Sequence, residues 1–236
     1  MAMSNISLKK IIKHAVTKQS QITDAFVLNA ILALSGGFQD AYTYVMRGGV
    51  FANAQTGNVV LMSVNFLEGN VAKGFAYLMP ILSFVCGVFV ADNIQYFFKN
   101  AKKLHWRQMV LLIEILSLFV VAFIPQEFNM IANMLVSFSC AIQVQSFRKV
   151  AGNAYASTMC IGNLRSGTSY FASFVRSRDH VQLQKSLYYW GIILIFAIGA
   201  AIGGVWSKIF GIKIILVTCI ILTVAFFVME LDREGH

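Results

Sequence analysis

An all-α, polytopic transmembrane bundle is the fold class this sequence predicts, and three observations carry the prediction. Of 236 residues, 58% are hydrophobic and only 12% charged, where a soluble domain carries about 25% charged residues. Apolar runs recur from about residue 25 to 229 with short charged breaks between them. Several reach about 18 residues, the length a helix needs to cross roughly 30 Å of hydrocarbon. A soluble domain of this composition would precipitate.

Residues 1–24 come first, a basic amphipathic stretch. Its apolar residues Leu8, Ile11, Ile12, Ala15 and Val16 suit a short interfacial helix whose lysines face the headgroups. It has no apolar h-region or small-residue cleavage site, so it is not a signal peptide. A single transmembrane domain follows over 25–229, and 230–236 form a cytoplasmic tail.

Within that domain the hydrophobic segments fall at about 25–46, 50–68, 74–98, 107–124, 128–147, 154–175, 186–206 and 210–229. A shift of 105 residues lays the first four on the last four and brings Gly57-Asn58 onto Gly162-Asn163. Two repeats result, about 25–124 and 128–229. Segment order and the shared Gly-Asn carry the alignment, because few other residues match.

The positive-inside rule chooses between topologies. Eight crossings would place nine Lys and Arg residues on each side, with no bias at all. If segments two and six dip in and return on the same side, fourteen lie inside against four outside. Six spans are therefore expected, with both termini cytoplasmic. Three crossings per half make the second repeat inverted relative to the first, each repeat carrying an extra short re-entrant or broken helix. Interrupted helices meeting near the midplane of inverted repeats are a recurring plan of transporters and channels. The competing reading is a full span buried in protein, its polar groups bonded to neighbouring helices.

The stretch "GGFQDAYTYVMRGGVFANAQTGNVVLM" resembles the YoaK family of small bacterial integral membrane proteins of unknown function. The shared features are Gly37 with Asp40-Ala41, Gly49-Val50-Phe51, Asn53 and Thr56-Gly57-Asn58. In the second half, "QVQSFRKVAGNAYASTMCIGNLRSG" is similar to the family's later motif, with Ile161 where the family has Thr. The resemblance covers about residues 25–229. It implies about six helices in the bacterial cytoplasmic membrane and supplies no substrate.

Ionisable groups inside a membrane are the best functional pointers, since each costs a few kcal/mol to insert. Asp40 lies in segment one beside Gly36, Gly37 and Tyr44, and Glu114 lies in segment four; these are the candidate proton- or cation-coupling groups. Asp92, nearer the end of segment three, is expected to snorkel or to pair with charges around Lys99. A structural alternative for Asp40 is an ion pair with Arg47 or Arg148. The Gly-Asn pairs suggest two half-helices aiming backbone dipoles and amides at one solute. A substrate site is expected from Asp40, Asn53, Thr56, Asn58, Gln145, Asn163 and Arg165. Arg165 has two readings, an inward partner for an acid or anion and a side chain snorkelling to the surface. Gly199 and Gly203 give small-residue spacing for close helix packing, within the chain or in a homodimer.

No enzymatic set is found. His14, His105, His180 and His236 lie in loops or tails, and the HExxH, GxGxxG and Walker A patterns are absent. Cys86, Cys140, Cys160 and Cys219 sit in apolar segments without CxxC spacing, so no metal, disulfide or cofactor is expected. The net charge of +9 reflects basic cytoplasmic loops rather than nucleic acid. The partners are the lipid bilayer and a small polar solute. The expected function is a secondary transporter or channel. The alternative is a non-transporting scaffold, sensor or partner subunit with structural polar groups.

Overall fold

The computed structural model describes residues 26–99, 105–150, 153–154 and 160–234. The expected interfacial helix over 1–24 lies outside them. The described residues are helical almost throughout. In chain order they form α1 (26–46), α2 (Gln55–Leu67), α3 (Val71–Phe98), α4 (Trp106–Val121), α5 (Asn129–Ser146), α6 (Cys160–Ser177), α7 (His180–Phe210) and α8 (Leu216–Glu234). Short 3-10 turns at Gln126–Phe128 and Gly211–Ile215 precede α5 and α8. Two-residue strands, β1 (Lys149–Val150) and β2 (Asn153–Ala154), pair antiparallel between α5 and α6.

Among the described residues, two helical stretches are long and apolar enough to cross a membrane: α3, and the run from His180 to Glu230 that joins α7 to α8. Their outer surfaces are apolar. Leu82, Val85 and Phe89 on α3, Leu194, Ile198 and Val205 on α7, and Ile220, Val224 and Phe227 on α8 are all exposed. An aqueous protein does not present so much aliphatic and aromatic surface in continuous helical faces.

The 105-residue offset pairs α1 with α5, α2 with α6, α3 with α7 and α4 with α8. The packing is reciprocal in the same sense. α3 of the first half lies on α5 of the second, where a Cβ at Gly87 would strike Ala141 and the Phe138 carbonyl. α7 of the second half lies on α1 of the first, where a Cβ at Gly199 or Gly203 would strike the Leu34 or Phe38 backbone. From the other side, a Cβ at Gly37 would collide with the Phe196 carbonyl oxygen. The Gly199–Gly203 face is thus occupied by α1 of the same chain. Serines lock the α3–α5 pair: Ser137 Oγ donates to Pro80 O at 2.8 Å and Ser83 Oγ to Met134 O at 2.6 Å. α4 packs against both α5 and α8. Its end toward α8's C-terminus is fixed by Gln108, whose amide donates to Glu230. α8 is helical through Glu234, beyond the expected start of a tail at residue 230.

Segment two departs most from a continuous span. α1 ends in a turn where Gly48 and Gly49 take φ of +85° and +76°, values that favour glycine. The Gly49 N–H donates to Tyr44 O, closing the last turn of α1. Residues 50–54 are not helical, and α2 has only 13 residues, about 20 Å at 1.5 Å per residue. That is short of the hydrocarbon thickness.

Candidate functional site

Arg47 holds the chain where α1 gives way to this loop. It is fully buried, and its guanidinium donates to the carbonyls of Val121 and Ile124 at 2.9 Å, to Asn129 Oδ1 at 3.1 Å and to the Tyr42 hydroxyl at 3.0 Å. The last carbonyls of α4 lack intrahelical donors and carry partial negative charge. Arg47 therefore caps α4, and the suggested ion pair with Asp40 is not formed. Asn133 of α5 completes the joint by donating to Arg47 O at 2.8 Å.

Asp40, on the last turns of α1, organises the loop instead. Its Oδ1 accepts the Asn53 N–H at 2.6 Å, and the N–H groups of Ala52 and Ala54 also act on the carboxylate. The Asn53 amide reaches back to donate to Gly36 O at 3.3 Å. Its own Oδ1 is buried without a hydrogen-bond partner.

The Thr-Gly-Asn motif then fastens the loop to α2. Asn58 is fully buried; its Oδ1 accepts from Phe51 N at 3.2 Å while its Nδ2 donates to Phe51 O at 2.7 Å and Gln55 Oε1 at 3.0 Å. Gly57 leaves room for the Phe51 ring, since a Cβ there would lie 3.2 Å from it. Tyr44 stacks on that ring at 4.8 Å. Gln55 Nε2 donates to Ala52 O at 2.9 Å and to Ser137 Oγ at 2.8 Å. A chain of polar contacts thus runs from α2 through Ser137 to the Pro80 carbonyl of α3.

A second polar cluster adjoins the first along α1. Glu114 of α4 is fully buried and accepts from Gln39 Nε2 at 3.2 Å. The same Gln39 amide nitrogen donates to Ser35 Oγ at 3.0 Å, and Gln39 Oε1 accepts from the Cys140 thiol at 3.1 Å. Gln39 and Asp40 are consecutive, so α1 carries one network toward α4 and α5 and the other toward the loop. Cys140 lies near enough to feel both carboxylates, and Cys160 of α6 feels Asp40.

The expected site residues divide accordingly. Asp40, Asn53 and Asn58 come together at the loop, and Glu114 joins through Gln39. Asn163 is buried on α6. Thr56 is exposed on α2, and Arg165 is exposed on α6. Gln145 turns away from Asp40 and donates to Asp92 Oδ1 at 3.0 Å. Asp92 is exposed and has this amide partner on α5; Lys102 and Lys103, among the charges expected near it, lie outside the described residues. Gln39, Gln55, Ser137 and Cys140 belong to the polar core although their sequence positions did not single them out. On α5 the signal was present: Asn133, Ser137, Cys140 and Gln143 recur at helical spacing and are all buried. Gln145 lies off that stripe.

Comparison with known proteins places this arrangement in a family. A family model described as "Protein of unknown function (DUF1275)" matches residues 28–228. The UPF0700 transmembrane protein YoaK of Bacillus subtilis (strain 168) is similar, at 26% identity over 184 residues, covering 74% of this chain and 80% of the relative. No solved structure matches.

Proposed function

The chain belongs to the DUF1275 family, the YoaK group suggested by its motifs, and on that premise we propose that it is a secondary transporter or channel for a small polar solute. It would work in the bacterial cytoplasmic membrane, without enzymatic chemistry. One observation carries the reading. A chain this apolar gathers Asp40, Glu114, Gln39, Asn53 and Asn58 in its interior around non-helical backbone. Intramembrane acids mark ion and substrate paths by default, and non-helical backbone at membrane depth is tolerated only inside protein or beside water. The printed name of the Bacillus relative supports membrane residence. The reciprocal packing of α3 on α5 and α7 on α1 supports two repeats. On this proposal α1, α3, α4, α5, α7 and α8 cross, α2 and α6 dip from opposite faces, and both termini are cytoplasmic.

The site is Asp40 with the buried, unpartnered Asn53 carbonyl oxygen beside it, and Glu114 is the coupling acid reached through Gln39. The test is flux in liposomes holding the purified chain, with a labelled amino acid, a sugar, a polyol and a monocarboxylate as probes. At least one probe should move faster than into empty liposomes, and Glu114→Gln should slow it about tenfold while the protein stays folded. Equal rates for every probe in filled and empty liposomes would end the proposal.

A scaffold reading has its own observation: each Asn58 hydrogen bond stays within residues 51–58. On that reading Asn58→Ala and Asp40→Asn weaken folding, and no flux exists to lose.

A further inference from the structure

α6 carries a feature that neither the loop nor the polar core uses. Its inner stripe, Asn163, Gly167, Tyr170 and Phe174, faces α7; Ser186 Oγ donates to Gly167 O at 2.8 Å, and Tyr170 stacks on Tyr189. The remaining surface has two flanks, with Thr168 also exposed within the apolar one. Ile161, Leu164, Phe171 and Val175 form an exposed apolar sector, with Ile161 81% and Val175 50% exposed. Gly162, Arg165, Ser169, Ser173 and Arg176 fall within roughly 80° of arc on the other flank at 3.6 residues per turn. Gly162, Arg165, Ser169 and Arg176 in that group are exposed, and nothing approaches within 4 Å of a Cβ built at Gly162.

A lipid-facing helix has no use for such a flank, because hydrocarbon strongly disfavours an arginine. Arg165 lies eleven residues before Arg176, about 16 Å along the axis, too far to sit with it at the helix end. The flank is also uniform in charge. α6 contains no acidic residue, and Lys185 of α7 adds a further cation beside the inner stripe, 5.3 Å from the Tyr170 ring centroid. Arg176 Nη2 bonds Ser173 Oγ at 3.3 Å, whereas Arg165 is exposed and has no partner among the described residues.

We infer that this flank of α6 lines a water-filled vestibule, open at the Arg176 end, that draws small anions inward to Arg165. The inference rests on the proposal above that α6 dips into the membrane from the cytoplasm, and it adds the charge of what enters.

The test uses the full chain in liposomes with single substitutions Ser169→Cys on the polar flank and Phe171→Cys on the apolar one. Two thiol reagents of equal size are applied, a sulfonate-bearing and a trimethylammonium-bearing methanethiosulfonate. Fragment mass spectra locate the modified residue, and no native cysteine lies between Ser166 and Arg176. Ser169→Cys should react at least tenfold faster than Phe171→Cys, which lies at nearly the same depth. Relative to a free thiol, it should favour the sulfonate about threefold or more, and Arg165→Gln should abolish that preference. Equal slowness at both positions would overturn the vestibule, as would a Ser169→Cys disulfide between two copies, which would make the flank an interface. A preference unmoved by Arg165→Gln would overturn the role of Arg165. Labelling needs no transport: absent flux with a reactive Ser169→Cys removes only the transport proposal, and intact flux with an unreactive one removes only the vestibule.

Discussion

Replacing Asn58 with Ala tests how the interrupted segment is held. The substitution deletes three hydrogen bonds and leaves Phe51 N–H and C=O without their partner in a tightly packed loop. A net hydrogen bond is worth about 0.5–1.5 kcal/mol in proteins and about 0.6 kcal/mol on average between side chains in a membrane protein. Alanine's higher helix propensity returns about half a kcal/mol at this position in α2. The balance is a loss of about 1–4 kcal/mol. For a chain of this length each kcal/mol moves the melting temperature by about 2–4 °C, so the expected drop is about 2–16 °C. The assay is thermal unfolding of the purified protein in detergent, read by loss of the monodisperse fraction. Thr56→Ala, two residues earlier and exposed, should change the midpoint by less than about 2 °C. An Asn58→Ala protein melting within about 1 °C of wild type would refute the claim that this amide staples the loop to α2.

Other substitutions probe the joints around that loop. Gly199→Val should cost about 3 kcal/mol or more by driving a side chain into the Leu34 backbone; Gly204→Val, whose nearest neighbour is Ala41 Cβ at 3.8 Å, should fold normally, and folded yield after size-exclusion chromatography reads both. Arg47→Met should destabilise by about 2–4 kcal/mol because the carbonyls capping α4 lose their donor, with Arg47→Lys intermediate for want of the fork; chemical denaturation measures the order. Gln145→Ala removes one hydrogen bond at a half-buried site and should cost less than about 1 kcal/mol while leaving any flux unchanged.

Much of this molecule was legible from hydropathy alone. The apolar runs found α3, α4 and α5 to within about three residues and α7 and α8 to within about six, because burial in lipid or protein imposes the same continuous apolar composition on each. The interruption in segment two was legible too: Gly48-Gly49 and the amides after it are poor helix interior. Its mechanism was not. Asn58 bonds Phe51 across the non-helical residues 50–54, so no helical face brings the two together. Arg47 read as a candidate partner of Asp40, since the carbonyls it caps lie more than seventy residues away at the end of α4. The 105-residue shift lays Gln145 on Asp40, whereas the stripe through Asn133, Ser137 and Cys140 leads to Gln143. Helical phase on α5 was the better guide than the repeat.

The central claim is that α2 enters and leaves on one face of the membrane, since the opposed dips and the site between them depend on it. Cysteines placed at Gly48 and at Glu68, which bracket the loop and α2, can be labelled in intact cells with a membrane-impermeant maleimide. Both should react from outside, and neither should require permeabilisation. If Glu68→Cys reacts only after the membrane is opened while Gly48→Cys reacts before, α2 crosses, and the account fails.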